Sequence, residues 1–276
     1  LKTIKDGLAK DGITDVYPLA MRAAPGNQPA VDLTGFVYAY GGNPSWFEGG
    51  ADTPEEIKAT KAKPVFNQGA FKQGFETFVR WAKEYAPPGV ASHTWVDMMN
   101  LYAQGKIAVV TPAAINAFTG IISSKVAEVR EQSDFEPAVI GPSGKQMQNF
   151  WTMSIGVSSQ SKNKDAAYKV LALLSSQQVL ENFAQSVGWP FAPYPSVMHG
   201  PALTGKWPKG MLDKIEKSFR DSDPHYIPFI PEVQEIMDKI GTSASAAVAG
   251  TASVEDSLND LQAWATDRME RAGYYK

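Results

Sequence analysis

Phe71, Phe75, Phe78, Ala82 and Tyr85 follow one another at alternating spacings of four and three, with Lys72, Glu76, Arg80 and Lys83 on the other face. That period lays one apolar stripe along a helix, and Pro87-Pro88-Gly89 ends it because proline has no N–H to continue the ladder. Leu1, Ile4 and Leu8 repeat the pattern in a shorter helix closed by Gly12, and the apolar run Val16 to Met21 that follows reads as a buried strand. Leu33 to Tyr40, closed by Gly41-Gly42, fits helix or strand and is assigned as a short helix. Thr53 and Glu56, with Pro54 at the first helical position, have capping-box spacing and predict a helix start. Val96 to Ala103 predicts another helix. Gly105 then leads into Ile107 to Thr111, whose β-branched run suits a buried parallel strand.

Two more strands are expected, at Phe135 to Ile140 and at Met153 to Val157. Asn163 stands where it can cap a long helix whose buried stripe would be Ala167, Val170, Leu171, Leu174 and Phe183, with Gly188 as its end. Leu212, Ile215 and Phe219 mark one amphipathic helix between two proline-rich passages, Gly188 to Pro195 and Pro224 to Pro231. It is too isolated there to build a core of its own. Pro231 opens a helix carrying Val233, Ile236, Met237 and Ile240 toward Gly250, and Ser253 with Asp256 caps a final one through Leu258, Leu261 and Ala265.

A chain of 276 residues can bury a sizeable core as one large domain or as two modest lobes. A net charge of -3, with both signs interspersed, offers no broad field for nucleic acid or anionic membrane, so no nucleic-acid partner is expected. The absence of cysteine excludes disulfides, thiolate metal sites and cysteine nucleophiles but leaves the compartment open. His93, His199 and His225 fall in no H-x-x-x-H or H-E-x-x-H spacing, and neither a metal nor another cofactor is expected. No run of eighteen apolar residues occurs. Leu1 opens on a helical pattern in place of a basic-then-apolar signal sequence, as if the beginning were cut from a longer protein.

Several short segments occur in a particular order: Arg22-x-x-Pro25-Gly26, Tyr40-Gly41-Gly42, Ala86 to Val90, Tyr102 to Lys106 leading into Ala108-Val109-Val110, and Phe150 to Ile155. Ser159 to Ala167, Gly188-Trp189, Ile230-Pro231-Glu232, Ala249-Gly250 and Gly273-Tyr274 follow. None is specific alone. Their shared order, over nearly the whole chain, resembles the family 1 extracellular solute-binding proteins of ABC transporters, typified by the maltose-binding protein, and in particular the sugar-alcohol (mannitol/sorbitol) and sugar-binding branch. The resemblance implies an α/β fold, periplasmic binding protein-like type II, whose two lobes close on the ligand. On that basis residues 1–190 and 232–276 would be the C-terminal lobe, 196–226 a segment of an N-terminal lobe whose opening strands are missing, and 188–195 and 224–231 the hinge crossings. The helix around Leu212 would then pack on the missing lobe. The same resemblance implies capture of a sugar alcohol or small sugar, ABC permease subunits as membrane partners, and a periplasmic or extracellular location, with a lipid anchor as one option.

Carbohydrate sites set aromatic faces against C–H patches and planar polar groups against hydroxyls. Trp151, in the W-x-x-S pattern of the polyol branch, and Trp189, in the presumed hinge, are the aromatic candidates. The competing readings make Trp151 a core residue at a strand edge and Trp189 a packing plug. Arg22 follows the first strand, where its five donors suit two hydroxyls or, alternatively, a lobe-internal ion pair. Asp32 and Asn116 would accept from and donate to hydroxyls, or act as local caps. Ile115 and Met237 stand roughly where the maltose-binding protein presents sugar-stacking tryptophans, which argues against a long oligosaccharide platform. Asp97 and Glu232 read as carboxylates complementing helix N-termini. No spaced acid–base pair, G-x-S-x-G elbow or phosphate loop stands out, so no catalytic residues are assigned and an enzyme is not expected. The alternatives to capture are a carbohydrate-processing enzyme and a non-transport scaffold built on the same fold.

Overall fold

The computed structural model describes residues 1–41, 46–110, 115–146, 154–208 and 210–276, without the side chains of 115 and 116. They form two compact units: Leu1–Glu131, Ala138–Phe150 and Ser222–Lys276 in the first, Gln132–Pro137 and Trp151–Asp221 in the second.

The first unit runs α1 (Lys2–Lys10), β1 (Tyr17–Ala20), α2 (Gln28–Ala39), α3 (Pro54–Thr60), α4 (Gly69–Tyr85), α5 (Trp95–Ala103), β2 (Ile107–Val110), α6 (Ile115–Ser123) and α7 (Ala127–Gln132). Among the described residues its sheet is the parallel pair β1 and β2, in register Tyr17↔Ile107, Leu19↔Val109 and Ala20↔Val110. A parallel pair needs a crossover, which the helical segment between the strands supplies. The core joins Leu19 within β1 and Met21 just beyond it to Leu33, Phe36 and Val37 of α2 and Phe71, Phe75 and Phe78 of α4. Phe36 meets Phe78 and Trp81 edge-on, with ring centroids 5.5 and 5.1 Å apart. After the second unit the chain returns as α13 (Val233–Ala249) and α14 (Val254–Arg271), which bring Ile236, Met237, Ile240, Leu258 and Leu261 to the same core.

The ambiguous stretch Leu33 to Tyr40 is helical, and its weak periodicity has a cause: α2 is buried almost all round, so no polar face marks its period. At α3 the Thr53 hydroxyl accepts from the Glu56 N–H at 3.3 Å, but the Glu56 carboxylate reaches back to the Asp52 N–H at 3.1 Å rather than to Thr53. The complete capping box is at α5, where Asp97 accepts from the Thr94 N–H at 2.8 Å.

The second unit holds α8 (Lys164–Leu174), α9 (Gln177–Val187), α10 (Pro195–Met198), α11 (Pro201–Thr204) and α12 (Met211–Asp221). Five expectations are corrected in this half of the chain. Phe135 to Ile140 is not a strand: Asp134 and Glu136 are held by Lys214 of α12 at 2.8 and 2.5 Å, and Ile140 makes only an isolated bridge to Gln146. Residues 154–157 carry no strand pairing among the described residues, and Met153 lies outside them. The long helix after Asn163 is two helices, because the Ser176 hydroxyl accepts from the Val179 N–H and starts a new one, and the Asn163 side chain makes no capping bond. Its stripe is not buried, with Val170, Leu174 and Phe183 all about half exposed among the described residues. The helix around Leu212 is not isolated either. Met211, Leu212 and Ile215 are buried, and Phe219 meets Phe191 edge-on at 5.6 Å. Residues 154–208 and 210–221 fall in this one unit.

Candidate functional site

Parallel strands bring their carboxyl ends to one edge, and in open α/β sheets that edge is where ligands are received. Beyond β1 the chain continues through Arg22 to the loop that enters α2, and the N–H groups of Ala23 and Ala24 both donate to the His93 carbonyl at 3.1 Å. Helix α5 runs back into β2 through Gly105, so its first residue, Trp95, stands at this edge too. The Trp95 N–H donates to Oε1 of Gln28, the first residue of α2, at 3.0 Å. Helix α6 begins at the same edge, five residues beyond Val110.

Arg22 and Asp32 meet inside this edge. Asp32 is fully buried and Arg22 is 8% exposed. The Arg22 Nε donates to both Asp32 oxygens at 3.0 Å and Nη2 donates to Oδ1. Burial holds the Asp32 carboxyl above its ordinary range, and Arg22 offsets that only in part. Tyr226 lies beside them: burial pushes its phenol up to about 12, against the pull of Arg22, so at neutral pH it is an O–H donor. Its hydroxyl makes no hydrogen bond among the described residues. Burial also pushes the His93 imidazole below its ordinary 6.5, against a smaller opposite pull from Asp97, and leaves it neutral near pH 7. The edge therefore offers a compensated ion pair, neutral donors and acceptors, and an indole.

Of the residues singled out from sequence, the structure brings Arg22 and Asp32 together, and each is the other's partner. Asn116 lies in the first turn of α6, and its side chain is not described. Trp151 lies outside the described residues. Trp189 belongs to the second unit, half-buried against Phe191 with ring centroids 5.4 Å apart, where the Trp207 Nε1–H donates to the Gly188 carbonyl at 2.9 Å. Met237 is buried in the core of the first unit, so it presents no surface to a ligand. Asp97 does serve as a helix-start carboxylate. Glu232 precedes α13 and accepts from the Tyr274 hydroxyl at 2.9 Å. Sequence reading missed Gln28, His93, Trp95 and Tyr226. The Thr94 and Asp97 capping spacing followed by Gly105 and a strand was a usable signal for Trp95, whereas Tyr226 reaches Arg22 only through folding.

A second concavity, of about 510 Å³, lies at the opposite end of β1 and is lined by Lys5, Leu8, Tyr17, Tyr85, Pro88 and Val248 among others. Lys5 is already engaged there, its ammonium donating to the Glu84 carbonyl at 2.9 Å. That hollow is mainly apolar and lacks the convergent polar groups of the carboxyl edge.

Residues 2–181 match the family model described as bacterial extracellular solute-binding protein. The chain belongs to that family. This solute-binding protein is 25% identical over 228 residues to the mannitol-binding protein of Pseudomonas aeruginosa, an alignment covering 78% of the chain and 52% of that relative. It spans about half the length of that curated relative. Among solved structures, an ABC transporter solute-binding protein of Agrobacterium vitis S4 with bound D-mannitol matches with a TM-score of 0.82 at 24% identity, covering 100% of this chain and 66% of the other. One from Agrobacterium radiobacter K84 in complex with ribitol matches with a TM-score of 0.74 at 23% identity, covering 92% and 60%. Maltose-bound T. maritima MalE3 matches with a TM-score of 0.70 at 16% identity, covering 94% and 62%. These likenesses establish the α/β, periplasmic binding protein-like type II fold. The relatives are binding proteins of transporters, and the family is extracellular. No helix among the described residues is long and apolar enough to cross a membrane.

Proposed function

We propose that this solute-binding protein is part of the substrate-binding component of an ABC importer that captures a sugar alcohol, or a small sugar, by lobe closure. The observation that carries this reading is the carboxyl edge of β1 and β2. Among the described residues there, the buried cation Arg22 is matched by Asp32, the Asp97 carboxylate is engaged by Thr94, and Gln28 and Tyr226 add neutral acceptor and donor groups, as a hydroxyl-rich uncharged ligand requires. The mannitol-binding relative points to the same ligand class. Arg22 would offer its remaining nitrogen, Nη1, to hydroxyls while Asp32 holds the guanidinium plane. Asn116, Trp151 and Trp189 would add contacts, the two indoles as faces for C–H patches.

The first unit would be most of the C-terminal lobe. Residues 196–226 would be the segment given to the N-terminal lobe, with 188–195 and 224–231 as the hinge crossings. Permease subunits would be the membrane partners, and the protein would work in the periplasm or outside the cell. Binding without turnover is the expected chemistry. Calorimetric titration of the full-length protein with D-mannitol, ribitol and maltose tests this, with product analysis run alongside. Saturable binding of a sugar alcohol with no ligand consumed is the expected result, and consumption of ligand or a complete lack of binding to all three would overturn it.

A further inference from the structure

We infer that Trp95 is a ligand-contacting residue of the carboxyl edge, its indole face packing on the C–H surface of a neutral polyol. This rests on the capture reading above and deepens it by naming a contact outside the set expected from sequence.

The indole is 40% exposed at the first position of α5, and Val96 beside it is 39% exposed, whereas the residue that α5 buries is Met98. Stability alone therefore does not call for a large aromatic at this position. The backbone that carries the indole is nevertheless fixed from two sides. The Thr94 and Asp97 capping box sets the helix start, and Gln28 Oε1 takes the Trp95 N–H and ties α5 to the first residue of α2. The His93 carbonyl, two residues earlier, holds the N–H groups of Ala23 and Ala24, directly after Arg22. The ring is thus mounted on the same loop cluster as the buried ion pair. An aromatic group held rigidly at an open edge costs little entropy on binding and offers a flat apolar surface.

The neighbouring groups set the class of ligand. Arg22 is neutralised by Asp32, the Asp97 carboxylate is engaged by Thr94, His93 is kept neutral by burial, and Tyr226 keeps its proton. A carboxylate or phosphate ligand would meet no uncompensated cation among these residues, and an amine would meet no free anion. Hydroxyls would meet the Tyr226 O–H, while the carbon backbone of the polyol meets the indole. Gln28 acts through Trp95 as a positioning residue.

The test uses the full-length protein with D-mannitol and ribitol as probes, read by calorimetry and by indole fluorescence. Trp95→Ala is expected to weaken binding about tenfold or more, within the range of aromatic hot-spot truncations. Trp95→Phe is expected to keep binding within about threefold, because the face is retained. Gln28→Ala is expected to fall between the two. The thermal midpoint without ligand should be the same for wild type and Trp95→Ala, which separates lost contact from lost folding. Affinity of Trp95→Ala within about twofold of wild type, with wild type binding normally, would overturn the inference and leave the capture reading standing. Failure of the wild type to bind either polyol would instead remove the capture reading and this contact with it.

Discussion

Arg22 and Asp32 are the residues at which removing one partner matters most. With Asp32 fully buried, Arg22→Ala strands a carboxylate away from water, and breaking such a pair from one side costs about 3–5 kcal/mol. Replacing both, as Arg22→Met with Asp32→Leu, should cost clearly less, because no charge is left unpaired. Urea denaturation of the two variants checks this, and a double variant as unstable as the single one would contradict it. A second pair behaves differently because it faces water. The His225 Nδ1 lies 2.7 Å from Asp52 Oδ2, the Phe229 N–H donates to the Asp52 carbonyl at 2.6 Å, and the His225 ring meets Phe229 edge-on. The hydrogen bond and charge of Asp52, helped by Asp223 and Glu56, hold the imidazole above its ordinary 6.5 in the folded protein. Its contribution to stability is therefore full below that ordinary value and fades as pH rises through the raised folded-state value. The thermal-midpoint difference between wild type and His225→Gln should shrink from about pH 5 to about pH 9. A difference that grew over that range would show the sign to be wrong.

At the scale of elements, the seating of α13 against the loop before α2 is set by one small residue. A Cβ at Gly241 would lie 1.6 Å from the Gly26 carbonyl oxygen, so Gly241→Ala must move a helix or the loop that joins Arg22 to Gln28. A loss of about 1–3 kcal/mol is expected, and Thr242→Ala, one residue along on the exposed face, should change stability by less than about 0.5 kcal/mol. Equal thermal midpoints for the two variants would refute the close approach. Elements with their own period or caps, such as α4, α5, α13 and α14, could be read from the chain because those signals act within a turn or two. Phe135 to Ile140 could not, since a strand exists only through a partner and the neighbours of this segment engage Lys214 instead. The break at Ser175-Ser176 was overlooked for a different reason: the apolar spacing continues across it, and only the Ser176 cap marks a new start.

For the whole molecule, the consequential surface is the one left open on the second unit. Tyr168, Val170 and Leu173 of α8 are each more than half exposed, more apolar area than an isolated body keeps in water without cost. The 276-residue chain should self-associate through this face, and Val170→Lys with Leu173→Lys should reduce that association without lowering the thermal midpoint, as light scattering and melting would register. Unchanged association in the double variant would place the contact elsewhere. Amphipathic periods, capping spacings, glycine ends and the order of short segments were all present in the chain as written, because each depends on residues a few positions apart, and together they pointed to the solute-binding family. Which groups meet depended on folding. The Arg22 and Asp32 lock, the arrival of Tyr226 from the far end of the chain, the tie between Trp95 and Gln28, and the exposure of the stripe from Val170 to Phe183 came only with the packed structure. Burial and pairing are properties of two surfaces, and no run of residues contains both.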